Sequence, residues 1–164
     1  MIKGIVKIMM AVLILLYLST TVVAQSSDRS VTYSVEAPKE VAVGQNIDIS
    51  VTFNMKTGWH IYAPNRANEA KGYIVSTIGF KAPEGMTADE IQIPTPSNSI
   101  TGQVYKGSGV VMKQSLMSTK GLTPGKHKIK GTVTYQACNI DYCEPPQSFP
   151  VILRINVVEK HVEK

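Results

Sequence analysis

Apolar and polar residues alternate with a period of two along most of this chain. In NIDISVTFN, Ile47, Ile49, Val51 and Phe53 alternate with Asp48, Ser50, Thr52 and Asn54, and in VTYSVEA the residues Val31, Tyr33 and Val35 do the same. Further on, KIKGTVTYQA contributes Ile129, Val133 and Tyr135, and FPVILRINVV contributes Phe149, Val151, Leu153, Ile155 and Val157. Side chains on a strand point alternately to its two faces, so such segments are half-buried strands. Between them lie the turn signals APKE, VGQN, KTGWH, APEGM, PTPSN, KGSG and LTPGK. A helical period is absent, apart from a weak one around residues 67–75. The tail VVEKHVEK is charged and expected to fray. Short antiparallel strands with turns every eight to twelve residues predict an all-β fold, an antiparallel β-sandwich of immunoglobulin-like type.

The first 24 residues break the pattern. Lys3 and Lys7 form a basic start, Ile8 to Leu18 is uncharged and apolar, and small residues lead to Ala24. This is the composition of a secretory signal peptide with cleavage near Ala24. The apolar run falls short of the about 20 residues that a spanning helix needs. No cysteine follows it, which excludes a lipidated N-terminal cysteine. The mature segment is then 25–164, enough for one domain, and a monomer is expected. Without Lys3 and Lys7 the formal charge falls from +5 to +3. Lys126, Lys128 and Lys130 alternate on one strand face, which reads as a solvated surface and not as a nucleic-acid site, since no aromatic platform accompanies them.

The chain has two cysteines, Cys138 and Cys143, separated by four residues. An exported chain is free to keep a disulfide. As a staple, a bridge over so short a loop restricts the unfolded chain little, by roughly 2 kcal/mol. As metal ligands, the pair has no neighbouring histidine: His60, His127 and His161 are all distant in sequence, and the seven methionines all precede Cys138. No metal and no cofactor is expected. As a redox pair, two thiols close enough to bond pass two electrons by thiol–disulfide exchange. Asp141 and Glu144 lie beside them and disfavour strongly acidified thiols. The C-x-x-C spacing of thioredoxin-like motifs is missing. A hydrolase reading finds no serine nucleophile motif. The residues alone leave two functions open: a thiol–disulfide exchange module, and a secreted binding or adhesion module whose local disulfide stiffens a loop.

VTYQACNIDYCEPPQ resembles the strand and loop of the N-terminal periplasmic domain of the thiol:disulfide interchange protein DsbD family, matching at Tyr135, Gln136, Cys138, Cys143, Pro145 and Pro146. TGWHIYAPN, with Trp59, His60 and Tyr62, is similar to the family's aromatic strand beside the redox pair. GQVYKGS looks like the loop that caps the cysteines in that family, with Gln103, Val104 and Tyr105. The resemblance implies an immunoglobulin-like sandwich and a protein-disulfide reductase component. Its electrons would come from a membrane-embedded thiol transporter and pass to thioredoxin-like periplasmic proteins or to apocytochrome maturation. It implies that Cys143 forms the mixed disulfide and that Cys138 resolves it, within a wall made by Trp59, Tyr62, Tyr135, Asp141 and Glu144. The inter-cysteine loop is shorter here than in the best-known members. Val104 stands at their capping aromatic, leaving Tyr105 as the shield. Those proteins continue into a membrane domain and a thioredoxin-like domain, so the donor is expected on another polypeptide. By plain reading of the residues, Trp59 and Tyr62 serve equally well as packing, Tyr105 as a turn aromatic, and His60 as an exposed or hydrogen-bonded structural histidine. Pro145 and Pro146 end pairing after the loop.

Overall fold

Ile47, Ile49, Val51 and Phe53, the apolar half of the clearest alternation, are each 0% exposed in the computed structural model, which describes residues 29–119 and 122–159. Strand β3 (Ile47–Met55) carries them on one face, and burying each such side chain stabilises the fold by about 1.5–3 kcal/mol. It lies between β1 (Val31–Glu36) and β9 (Val110–Ser118), and β6 (Met86–Ala88) completes this four-stranded sheet on the far side of β9. The second sheet runs in the order β2 (Glu40–Ala42), β12 (Gln147–Val158), β10 (Gly125–Tyr135), β5 (Thr77–Phe80). The pairings are antiparallel except for β2 with β12.

The two sheets close on a common core. Ile47, Ile49, Val51, Phe53, Met112 and Leu116 from the first sheet pack with Ile78, Phe80, Ile129, Val133, Ile155 and Val157 from the second. At one end an aromatic group spans the layers. Tyr33 and Phe53 stand 5.3–6.4 Å, centroid to centroid, from Tyr135 and Phe149 in the contacts Tyr33–Tyr135, Tyr33–Phe149 and Phe53–Tyr135 and in their own. The Tyr135 hydroxyl donates to Val31 O at 3.2 Å, satisfying a buried polar group while joining the sheets. This is the expected immunoglobulin-like sandwich. Lys126, Lys128 and Lys130 are exposed on the outer face of β10, as their alternation predicts.

Three features depart from expectation. A third small sheet, β11 (Ala137–Cys138), β4 (His60–Tyr62), β8 (Gln103–Lys106) and β7 (Ser97–Asn98), flanks the sandwich. Its strands are two to four residues long, too short for alternation to register, and β7 uses the Ser97 and Asn98 that read as turn residues. The weak helical signal becomes one turn and a little more, α1 (Arg66–Ala70), capped by the Asn65 side chain on the Asn68 N–H. Val75 instead bridges Tyr62 as a strand neighbour. The tail also differs: β12 continues through Val158, and Val157 is 3% exposed in the core. The expected leader, residues 1–24 with its cleavage point near Ala24, lies outside the described residues, as does His161.

Asn68 fastens this third sheet to the helix. It is 1% exposed; its side-chain amide donates to Ala63 O at 2.8 Å and Gln103 O at 2.7 Å, and its carbonyl accepts from Gln103 N at 3.2 Å. Removing it takes away three side-chain hydrogen bonds to the backbone where β4 meets β8. We expect Asn68→Ala to destabilise the fold by about 1–3 kcal/mol and to raise amide hydrogen exchange selectively in β4 and β8, measured by urea unfolding and exchange mass spectrometry.

Candidate functional site

The chain enters the site where β10 ends. After Tyr135 and Gln136, β11 leaves the second sheet and pairs with β4, placing Ala137 opposite Ile61 and Cys138 opposite His60. On the other side of β4, Ile61 pairs with Tyr105, His60 with Lys106 and Tyr62 with Val104. Because neighbours on a strand face opposite ways, one face of this sheet carries Ala137, Ile61 and Tyr105, and the other carries Cys138, His60, Tyr62, Val104 and Lys106. The first set belongs to the main core. On the second face Tyr62, Val104 and Cys138 form a separate cluster, with Tyr73 and Val75 packed against it. Tyr62 and Tyr73 stack at 4.0 Å and 7°.

Cys138 and Cys143 are disulfide-bonded, with Cα atoms 4.0 Å apart. The loop between them is a tight turn held by Asn139: its side-chain oxygen accepts from Asp141 N and Tyr142 N at 2.8 Å each, and its N–H donates to Tyr142 O at 2.9 Å. This is the local turn that asparagine favours. The returning strand is tied down on its far side, where Glu144 N donates to Ala137 O at 2.8 Å and Gln136 Nε2 donates to Glu144 O at 3.0 Å. The Ser30 hydroxyl donates to the Glu144 carboxylate. Pro145 and Pro146 follow, exposed and without N–H groups, before β12 begins. The pair is unequally placed. Cys138 is 1% exposed under the cluster, whereas Cys143 is exposed, beside Ile140 at 97% and Tyr142 at 58%.

The residues anticipated around the pair separate into three groups. Tyr62 and Val104 pack with Cys138, and Trp59 supports the loop from below, its ring edge-on to Tyr142 at 5.5 Å and 87° while its body packs on the main core. Trp59 reaches this place through the turn at Gly58, whose φ of 84° favours glycine and where Trp59 N donates to Lys56 O at 3.0 Å. Asp141 and Glu144 belong to the loop and its return: Asp141 is exposed at the tip, and Glu144 is drawn to Ser30. Tyr135, Gln103 and Tyr105 are elsewhere. Tyr135 is in the aromatic core, burial pushing its phenol pKa up. The Gln103 side chain braces Asn65 and Asn98. Tyr105 points into the main core, its hydroxyl donating to Pro94 O at 3.0 Å. The segment GQVYKGS is therefore a paired strand here, and its residue against Cys138 is Val104; the shield is not Tyr105, because the pleat turns it to the opposite face. Among the described residues no three His, Cys, Asp or Glu side chains are grouped to hold a metal.

The residue that sequence reasoning undervalued is His60. It is neither exposed nor hydrogen-bonded at Nε2: the residue is 9% exposed and Nε2 is buried without a partner. Its ring stands edge-on to Tyr62 at 5.2 Å and 90°. Burial first, and Lys106 second, push its pKa below the ordinary histidine value. The signal available in the sequence was its two-residue spacing from Tyr62, which puts both on one strand face. A histidine whose folded pKa is depressed contributes stability that is fully present above about pH 6.5 and is lost as pH falls through its folded pKa. His60→Gln is therefore expected to lose less stability than the wild type between pH 7.5 and pH 5, measured by urea unfolding at each pH. An equal loss in both proteins rules out the buried neutral imidazole.

The family model described as "Thiol:disulfide interchange protein DsbD, N-terminal" matches residues 31–151, from the first strand into β12 and including both cysteines. No protein of curated function matches the sequence. Among solved structures, the N-terminal periplasmic domain of ScsB from Proteus mirabilis is similar with a TM-score of 0.50 at 14% identity, covering 80% of this chain and 48% of that one. This chain thus spans about half the length of that ScsB chain. The reduced N-terminal domain of Neisseria meningitidis DsbD matches with a TM-score of 0.43 at 15% identity, over 76% of this chain and 86% of its own. The same domain in complex with the PilB N-terminal domain matches at 0.42 and 13% identity, over 73% and 80%. At 14% identity the likeness to ScsB speaks to the fold alone, and the family rests on the match over residues 31–151. The chain belongs to the family of the N-terminal domain of the thiol:disulfide interchange protein DsbD.

Proposed function

We propose that this chain is a periplasmic thiol–disulfide exchange module in which Cys143 meets the partner and Cys138 resolves the mixed disulfide. Membership of a thiol:disulfide interchange family supports the general chemistry. The observation that carries the assignment of roles is the unequal exposure of the two cysteines. Exchange requires a thiolate to reach one sulfur of a disulfide while the other leaves. A protein partner has access to Cys143 from solvent, whereas Cys138 is buried in a cluster with Tyr62 and Val104, against which Tyr73 and Val75 pack.

In the direction of electron delivery, the Cys143 thiolate attacks a partner's disulfide. Cys138 then attacks Cys143, releasing the reduced partner and restoring the bond within this chain. The reverse sequence reloads the pair. The partners on this reading are a membrane-embedded thiol transporter as donor and thioredoxin-like periplasmic proteins as acceptors, with this chain acting as a monomer. The leader-like residues 1–24 fit such a location. The exposed Ile140 and Tyr142 flank Cys143 and give a partner an apolar surface to dock on.

Two measurements test this reading. Cys143→Ser is expected to abolish electron transfer to a thioredoxin-like disulfide substrate, and Cys138→Ser to accumulate a mixed disulfide visible on a non-reducing gel. Full activity in either variant is incompatible with the assignment. The reduction potential of the pair, obtained by equilibration with glutathione buffers and alkylation, is expected between about −270 and −180 mV. A value below about −300 mV identifies a structural staple and turns the chain into a binding module.

A further inference from the structure

The buried imidazole of His60 has no place in the scheme above, and three observations give it one. His60 is the direct cross-strand neighbour of Cys138 in the β4–β11 register, and both side chains stand on the same face of the sheet. Directly opposed pairs bring their Cβ atoms to about 4.5–5.5 Å. The Nε2 atom is buried without a hydrogen-bond partner while the disulfide is closed. A buried unpaired nitrogen is costly, and a native structure that retains one calls for a reason. Finally, Cys138 is 1% exposed, so a proton leaving its thiol needs an acceptor inside the protein.

We propose that His60 is the proton acceptor for Cys138 when the reduced pair resolves a mixed disulfide. The inference rests on the reading of Cys138 as the resolving thiol. A disulfide sulfur carries no proton to donate, whereas the thiol formed on reduction does, so Nε2 acquires its missing donor in the reduced state. In the resolving step the Cys138 S–H proton moves to Nε2 of the imidazole tautomer protonated on Nδ1, and the sulfur's electron pair attacks Cys143 Sγ. The Cys138–Cys143 bond forms, the bond from Cys143 to the partner's sulfur breaks, and the electron pair departs on that sulfur as a thiolate. The pair is oxidised by two electrons and the partner's disulfide is reduced by two. The imidazolium then passes its proton to water or to the departing thiolate.

The titratable groups facing His60 are Cys138 across β11, Lys106 across β8, and Tyr62 on its own strand with Tyr73 stacked beyond it. Of these, Lys106 is cationic and exposed, and it opposes a lasting imidazolium. The imidazole therefore rests neutral, ready to accept, and gives the proton up once the step is complete. Acceptance by a positioned base typically accelerates such a step by roughly 10²–10⁴-fold.

The reduced full chain mixed with an equimolar aromatic disulfide, 5,5′-dithiobis(2-nitrobenzoate), separates the steps in stopped flow. The first coloured thiolate reports attack by Cys143, and the second reports resolution by Cys138. His60→Gln should leave the first phase unchanged and slow the second at least about tenfold at neutral pH. In the wild type the second phase should rise with pH through the titration of His60 and then level off. In His60→Gln it should climb steadily toward the alkaline thiol range. Lys106→Met, a change at an exposed residue, should move the wild-type inflection to higher pH, and it decides the matter alone if His60→Gln does not fold. A second phase with wild-type rate and pH profile in His60→Gln, or an inflection unmoved in Lys106→Met, overturns the role of His60 and leaves that of Cys138 intact. Absence of any second release from the wild type overturns the resolving role itself, and the inference with it.

Discussion

Adjacent residues of a strand must face opposite ways, and at Ala137 and Cys138 this single constraint arranges the whole site. Ala137 turns inward and is 0% exposed in the main core, so Cys138 turns outward onto the flank of the sandwich. The backbone register of β11 on β4 then decides what stands beside it: His60 directly opposite, with Tyr62 and Val104 completing the cover. A slip of β11 by one residue would exchange its two faces, moving Cys138 into the core and Ala137 out onto the flank. Such a slip is opposed by the burial of Ile61, Tyr105 and Ala137 together. The sandwich thus holds the cysteine site by the same packing that stabilises the fold.

The surroundings of the pair are divided between rigidity and access. Cys138 is backed by stacked Tyr62 and Tyr73, and the third sheet is anchored through Asn68 to Ala63 and Gln103. Cys143 instead lies on a short turn stabilised mainly by its own Asn139 and supported by the edge of Trp59. The loop is too small for its bond to matter much to global stability, by roughly 2 kcal/mol in the chain-entropy estimate. A bond of modest structural value, with one end exposed, is better suited to being broken and remade than to stapling the domain. The hydrogen bonds of Glu144 to Ala137 and Gln136 do not depend on the bond, so the backbone has other means of keeping the return strand in place.

Much of the fold was legible from the alternation of residues, and less of the site was. The strands built from Ile47 to Phe53, Ile129 to Tyr135 and Phe149 to Val157 announced themselves because each is long enough for one face to be visibly apolar. The cysteines, their spacing and the following prolines were equally plain, and with them the family. The third sheet was not, since strands of two to four residues carry no periodicity and derive their pairing from neighbours distant in sequence. That explains why Tyr105 read as the shield and His60 as an exposed or hydrogen-bonded structural histidine. The covalent chemistry available to this protein, two thiols with one small loop between them, was determined by the sequence alone. Tertiary structure decided which thiol is buried, which residues pack around it and which histidine stands opposite, because those follow from strand register and pleat, which are set by packing across the whole domain.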